Sequence, residues 1–299
     1  MTLYCYNEAC TKDFLNLEQD IVLAKNSGFD LIEIRFDCLL EYLKHHSLQD
    51  LKDLLEKTNI KPHALNALYI YPEFLSSGND ENKDKEIYKT LDLIVSLHQQ
   101  LGIDKCIVVA PLLEDESLCS KYERAETKQN CVRILNFLSQ HYPYINWIFE
   151  PVGLSRSLVR DASFAYEIIL DVKALNVGLV LDSYNLYLKD RKSNYDFKHI
   201  DVNKIMAIHL MNGIKVSASE KILDQRYRVF CDEGDAIDIA SFLRALDDIN
   251  YKGMVSTEIF NSSYCKMYSQ KEIIQKAFNS LFNALQDCDR ILGTNNNTI

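Results

Sequence analysis

Eight short apolar runs, spaced along almost the whole chain and separated by longer amphipathic segments, constrain the fold more than any other feature. The runs are Leu3–Tyr6, Leu31–Arg35, His63–Leu68, Cys106–Val109, Ile145–Glu150, Gly178–Asp182, Ile205–Leu210 and Met254–Ile259. Most are continuously apolar, not alternating. A strand covered on both faces reads this way, and parallel sheets are built of such strands. The segments between them carry helix signals. Ser47-Leu48-Gln49-Asp50 reads as a capping box with Asp in place of Glu or Gln. Leu48, Leu51, Leu54 and Leu55 follow as an apolar stripe, with Pro62 beyond its end. Gly28 and Gly102 stand where a helix closes on a left-handed residue. Similar stripes run from Tyr122 to Ser139 and from Leu158 to Leu175.

Eight strands alternating with helices predict an α/β protein, a closed (β/α)8 TIM barrel. Its 299 residues suit one barrel of roughly 250 residues or two domains of about 150. With no Pro/Ser-rich linker inside the chain, a single barrel is expected over 1–290, followed by a polar tail at 291–299. An open doubly wound sheet is the runner-up. It would bind a dinucleotide through G-x-G-x-x-G, and neither that run nor a G-x-x-x-x-G-K-[ST] phosphate loop occurs.

Lys and Arg number 33 against 43 Asp and Glu, a net charge of -10. The chain therefore lacks the overall positive field that draws nucleic acid or anionic lipid. Nine cysteines, an odd count with no C-x-x-C spacing, indicate neither a disulfide framework nor a thiolate zinc site. The N-terminus shows no basic-then-apolar leader, and no run approaches the roughly 18 apolar residues of a membrane span. A reducing, cytoplasmic setting is expected, without nucleic-acid or membrane partners; self-association into a homo-oligomer stays open.

In such barrels chemistry sits at the C-terminal strand ends. Here these carry Asn7 and Glu8, Arg35, Asn66, Pro111, Glu150, Asp182, His209 and Glu258. Any one of the last four, taken singly, suits a helix cap or a core histidine. Together they place three carboxylates and one imidazole around one mouth. Three anions repel unless a cation or strong donors compensate, and one divalent ion does so. The oxygen-rich set, without thiolate, admits Zn, Mn, Co or Mg. The other six of the seven histidines do not follow this pattern, too little imidazole for a multi-zinc nuclease centre.

Several stretches also resemble a known family. Asn7-Glu8-Ala9, Phe29–Arg35, Glu41-Tyr42-Leu43-Lys44, His46-Ser47-Leu48 and Ile60-Lys61-Pro62 belong to the likeness, as do Ala64–Leu68, Asn176–Ser183, Ala236-Ile237-Asp238 and the strand around Glu258. Over residues 3–285 the chain is similar to the xylose-isomerase-like barrel superfamily of sugar isomerases and epimerases, and within it to the bacterial 2-keto-myo-inositol (inosose) isomerases of inositol catabolism. The resemblance implies that Glu150, Asp182, His209 and Glu258 are metal ligands. It implies that the metal polarises a keto-polyol substrate, while Glu150 and Glu258 move protons between adjacent carbons through an enediolate. It gives Arg35, Asn66, Asn185 and Arg228 substrate-orienting roles.

The sequence departs from the family where Asp-Ser/Thr-Phe-His becomes Asp182-Ser183-Tyr184-Asn185, an amide in place of an imidazole. Leu210-Met211-Asn212 lacks the usual acid after His209, and the Arg-x-x-Pro-Gly-x-Gly loop becomes Arg228-Val229-Phe230-Cys231-Asp232-Glu233-Gly234. These changes bear on substrate and activity, not on fold. The expected function is a metal-dependent isomerase or epimerase of a keto-inositol or keto-sugar. The alternatives are a dehydratase of a cyclic keto-polyol, a DNA-repair endonuclease, disfavoured by the charge and the scarce histidine, and a non-catalytic barrel of the same family.

Overall fold

In the computed structural model, which describes residues 3–216 and 224–295, the eight apolar runs are the staves of one closed barrel. They are β1 (Leu3–Asn7), β2 (Leu31–Arg35), β3 (Lys61–Tyr69), β4 (Lys105–Val109), β5 (Asn146–Glu150), β6 (Val177–Asp182) and β7 (Ile205–His209). A two-residue antiparallel ribbon, β8 (Asn212–Gly213) with β9 (Arg228–Val229), intervenes before β10 (Met254–Thr257). Strands β1 to β7 lie side by side in order, and β10 closes the ring between β7 and β1, parallel to both. The helices are α1 (Leu17–Ser27), α2 (Phe36–Tyr42), α3 (Leu48–Thr58), α4 (Glu81–Leu101), α5 (Arg124–His141), α6 (Ala162–Val172), α7 (Ser183–Asp190), α8 (Ile239–Asp248), α9 (Ser262–Met267) and α10 (Gln270–Asn295).

The core has two parts because each strand is covered twice. Cys5, Leu31, Ala64, Ile107, Ile148, Val180, Ala207 and Met254, one from each stave, pack together inside the barrel. Residues of the opposite parity, such as Trp147 and Phe149, belong to the larger layer shared with the helices. Side chains two apart on a strand face the same way. Continuing the inner parity from Ile148, Val180, Ala207 and Met254 therefore brings Glu150, Asp182, His209 and, through Ser256, Glu258 to one end of the barrel.

Local signals act as read. Ser47 and Asp50 form the reciprocal capping box of α3, and Gly28 and Gly102 close α1 and α4 at φ of 113° and 71°. The stripe at 158–175 yields a shorter helix, because Asp161 caps the Phe164 amide and Lys173 turns left-handed. The ribbon β8–β9 escaped the sequence, its strands being too short for any periodicity. Helix α10 runs through Asn295, and residues 296–299 of the expected tail lie outside the described residues. All eight cysteines with described side chains are unpaired, and six are buried.

Beside β1, two buried acids tie the strand to α1 and α10. Asp20 Oδ1 accepts from Thr11 Oγ1 and from Gln270 Nε2, both at 2.8 Å, and Glu8 Oε2 accepts from the Arg35 amide at 2.7 Å. Glu8 Oε1 and Asp20 Oδ2 face no donor, and one proton shared between the two carboxyls satisfies both. Burial and the Asp20 charge hold Glu8 well above the usual carboxylate range; burial pushes Asp20 up to about 7. Both folded carboxyls thus keep protons that the unfolded chain releases near pH ~4, so their contribution to stability declines as pH rises from there, through about 7 for Asp20 and on to higher pH for Glu8. Asp20→Asn supplies a neutral amide instead. At about pH 8 it is expected to be more stable than the natural chain by on the order of 1–3 kcal/mol, an advantage that shrinks toward about pH 4. Denaturant unfolding at both pH values checks this; equal stability at the higher pH would show that the pair is not proton-sharing.

Candidate functional site

Glu150, Asp182, His209 and Glu258 converge at the barrel mouth, each offering one ligand atom within 4.8 Å of all the others. All four are buried. His209 Nδ1 lies 3.4 Å from Glu258 Oε2 and 3.9 Å from Asp182 Oδ2, and makes no hydrogen bond. Its other nitrogen, Nε2, is 3.1 Å from Glu33 Oε2. Arg228, whose side chain is 1% exposed, sends Nη1 to Asp182 Oδ2 at 2.7 Å, to Glu258 Oε2 at 3.5 Å and to the Glu258 backbone oxygen at 3.1 Å. Its Nε donates to Gln225, and its guanidinium lies over the Tyr184 and Phe260 rings.

Amides complete the arrangement. Asn66 Nδ2 donates to Glu258 Oε1 at 2.9 Å, and Asn185 Nδ2 donates to Glu150 Oε1 at 2.9 Å. Asp182 caps α7 by accepting from the Asn185 amide at 2.6 Å, so one short turn delivers both residues to the site. Asn7 Nδ2 spans Glu33 Oε2 at 2.7 Å and Glu258 Oε1 at 3.3 Å.

The four carboxyls differ in what surrounds them. Burial raises Glu150 well above the usual range, and the Glu258 charge raises it further. Burial also raises Asp182, although Arg228 opposes. For Glu258 burial is overcome by His209 and Arg228, which hold it well below the usual range, and for Glu33 it is overcome by His209. His209 is raised well above an ordinary imidazole because Glu33 and Glu258 outweigh its burial. Four carboxyls thus face one imidazole and one guanidinium, a deficit of positive charge.

The residues fit a divalent ion. Two ligand bonds of about 2.1 Å span about 4.2 Å when opposite each other and about 3.4 Å in a tetrahedron, so the most widely separated atoms of the 4.8 Å cluster need to close by roughly 0.6–1.4 Å. The buried, unpartnered Nδ1 is a nitrogen donor, and the three oxygens beside it supply the negative charge that an ion would balance.

A cavity of about 370 Å³ opens above this cluster, lined by Glu150, Glu258, Asn66, Asn185 and Arg228 on its polar side and by apolar residues including Val109, Leu112, Val152 and Phe260. Among the described residues lining it, Asp182 and His209 do not appear. The sequence-derived candidates separate accordingly. Asn66, Asn185 and Arg228 meet both the cavity and the carboxyls. Arg35 is instead paired with Asp37 at 2.7 Å and meets the cavity through Phe260, over whose ring it lies. Asn212 is structural: its Oδ1 accepts from the amides of Gly213 and Ile237 and holds the ribbon. Sequence reasoning missed Glu33. The signal was there, a charge in the middle of the otherwise apolar Leu31-Ile32-Glu33-Ile34, but it does not stand at a strand end.

Comparison with known proteins agrees with this geometry. A sequence model of the xylose isomerase-like TIM barrel family matches residues 21–284. The inosose isomerase of Bacillus velezensis is 34% identical over 273 residues, covering 90% of this chain and 92% of that protein. The inosose isomerase of Bacillus subtilis (strain 168) is 35% identical over 273 residues, covering 90% and 93%. Among solved structures, the IOLI protein, crystallised with a bound zinc atom, superposes with a TM-score of 0.84 at 33% identity, covering 96% of this chain and 99% of that one.

Gly153 lets the chain after β5 approach the first turn of α7. A Cβ there would collide with the backbone oxygen of Asn185 and lie 2.7 Å from Leu188 Cβ. Gly153→Ala must push α7, and with it Asn185, away from Glu150. The expected cost is about 1–3 kcal/mol, read as a lower denaturation midpoint; an unchanged midpoint would show that α7 gives way freely.

Proposed function

The chain belongs to the xylose isomerase-like TIM barrel family, and from that premise we propose that it is a divalent-metal-dependent isomerase of keto-polyols, with inosose as the first substrate to test. The observation that carries this reading is the division of the cluster. Four donor atoms from four strands converge, yet only the two glutamates line the cavity. Glu150, Asp182, His209 and Glu258 would hold the ion. When bound, such an ion supplies Lewis-acid polarisation of a carbonyl and a neighbouring hydroxyl oxygen.

Glu150 and Glu258 are the two carboxyls that meet substrate. One takes the proton from the carbon beside the carbonyl while the carbonyl oxygen gains a proton, giving an enediol; the other returns a proton to the former carbonyl carbon as the neighbouring hydroxyl gives up its own, and the carbonyl moves by one position. Asn66 and Asn185 hold these carboxyls in place through their 2.9 Å hydrogen bonds. Arg228 adds a fixed positive charge where an oxyanion develops. The apolar wall limits water beside the reacting carbons. Asn185 Oδ1, buried and without a donor, accepts from a substrate hydroxyl but carries no proton at neutral pH. An inosose isomerase reading draws its support from the similar enzymes of that name.

Protein prepared with Zn, Mn or Co is expected to retain one ion per chain, and Asp182→Asn to lose it; metal analysis decides. In D2O, turnover of inosose should place deuterium at the exchanging carbon, and Glu258→Gln should slow it by about 10²–10⁴-fold. Full activity in that variant removes Glu258 as a proton carrier, and loss of water without hydrogen migration points to a dehydratase. Asn185→His tests the substrate. A faster turnover of inosose by the variant would mean that the natural amide favours a related keto-polyol, whereas equal turnover would leave position 185 to packing.

A further inference from the structure

Glu33 lies in the middle of β2, wholly buried, and it does not line the cavity among the described residues. It cannot touch a substrate there, yet three strands are organised around it. Its Oε2 and Oε1 stand 3.1 and 3.3 Å from His209 Nε2 on β7. Oε2 also accepts from Asn7 Nδ2 on β1 at 2.7 Å and from Ser256 Oγ on β10 at 3.2 Å. The carboxylate is therefore locked before it meets the imidazole.

We propose that Glu33 is the positioning residue for His209: it accepts the Nε2–H hydrogen bond, fixes the ring, and leaves Nδ1 as the nitrogen that meets a metal ion. The proposal rests on the reading of Glu150, Asp182, His209 and Glu258 as ligands. An imidazole turned over about its Cβ–Cγ bond exchanges Nδ1 for a carbon, and the cluster would lose its one nitrogen donor. The Glu33 contact is the hydrogen bond that holds the ring in this orientation, because Nδ1 itself makes none and stands 3.4 Å from the Glu258 carboxylate. A histidine ligand commonly donates its remaining N–H to a carboxylate, which sets both tautomer and orientation. Asn7 extends the control, since the same Nδ2 reaches Glu258 Oε1 at 3.3 Å and so couples the orientation of two ligands.

The first measurement uses the natural chain with 15N-labelled histidine. After Zn2+ is added, the His209 resonances should show a protonated Nε2 and a metal-bound Nδ1; a metal-bound Nε2 overturns the proposal. The second compares Zn2+ affinity by chelator competition in the natural chain and in Glu33→Gln. A loss of about 10–100-fold, with a changed visible spectrum of the Co2+ form, is expected. Affinity within about twofold of natural overturns the proposal while leaving the metal site standing. A natural chain that takes up no ion overturns the metal-site reading and this inference together. Should Glu33→Gln fail to fold, the imidazole spectrum of the natural chain still decides.

Discussion

Buried charge at the barrel mouth is the constraint on which the rest of the site depends. Glu33, Glu150, Asp182 and Glu258 sit together out of water, and an uncompensated carboxylate in such a place costs several kcal/mol. The chain meets that cost in three ways. Arg228 is drawn in until it is buried against Asp182 and Glu258. His209 is shared between Glu33 and Glu258. The side-chain amides of Asn7, Asn66 and Asn185 are spent on carboxylate oxygens. Glu150, whose side-chain hydrogen bond among the described residues comes from the neutral amide of Asn185, is raised well above the usual carboxylate range by burial and the Glu258 charge. A divalent ion would relieve the deficit that remains.

The barrel makes this concentration of charge tolerable by confining it to one end. Below the site, each stave contributes an apolar residue to the interior, so the polar groups form one patch over a dry core. The same strands bury their other faces against helices, and their hydrogen bonds run around the ring without a free edge. The four titratable side chains carried at strand ends inherit this rigidity. Arg228 does not: it comes from the excursion between β7 and β10, and depends on the two-stranded ribbon and on Asn212 for its position.

Within the cavity, polar and apolar walls divide the tasks. The two glutamates and their supporting amides line it together with Val109, Leu112, Val152 and Phe260. Asn185 is one of the places where this chain departs from the pattern it otherwise resembles, and its geometry shows the effect of the change. Its amide nitrogen is committed to Glu150, and its Oδ1 is a buried acceptor without a donor where the family has a titratable imidazole.

The sequence by itself determined the barrel and the four titratable side chains that converge at its mouth. Both are one-dimensional facts: continuous apolar runs mark strands covered on two faces, and a titratable residue ending such a run lies at the strand's C-terminal end wherever the strand goes. Capping at Ser47 and helix closure at Gly28 and Gly102 are equally local. What only the tertiary structure decided are the partnerships across the ring. Glu33 meets His209 over a separation of 176 residues, and Arg228 reaches Asp182 over 46. Arg35 pairs with Asp37, a carboxylate two residues away, while its guanidinium lies over the Phe260 ring. Side-chain parity says which way a residue points, but not which neighbour its charge will find; that depends on the closure of the ring and on the balance of burial against pairing, which exist only in three dimensions.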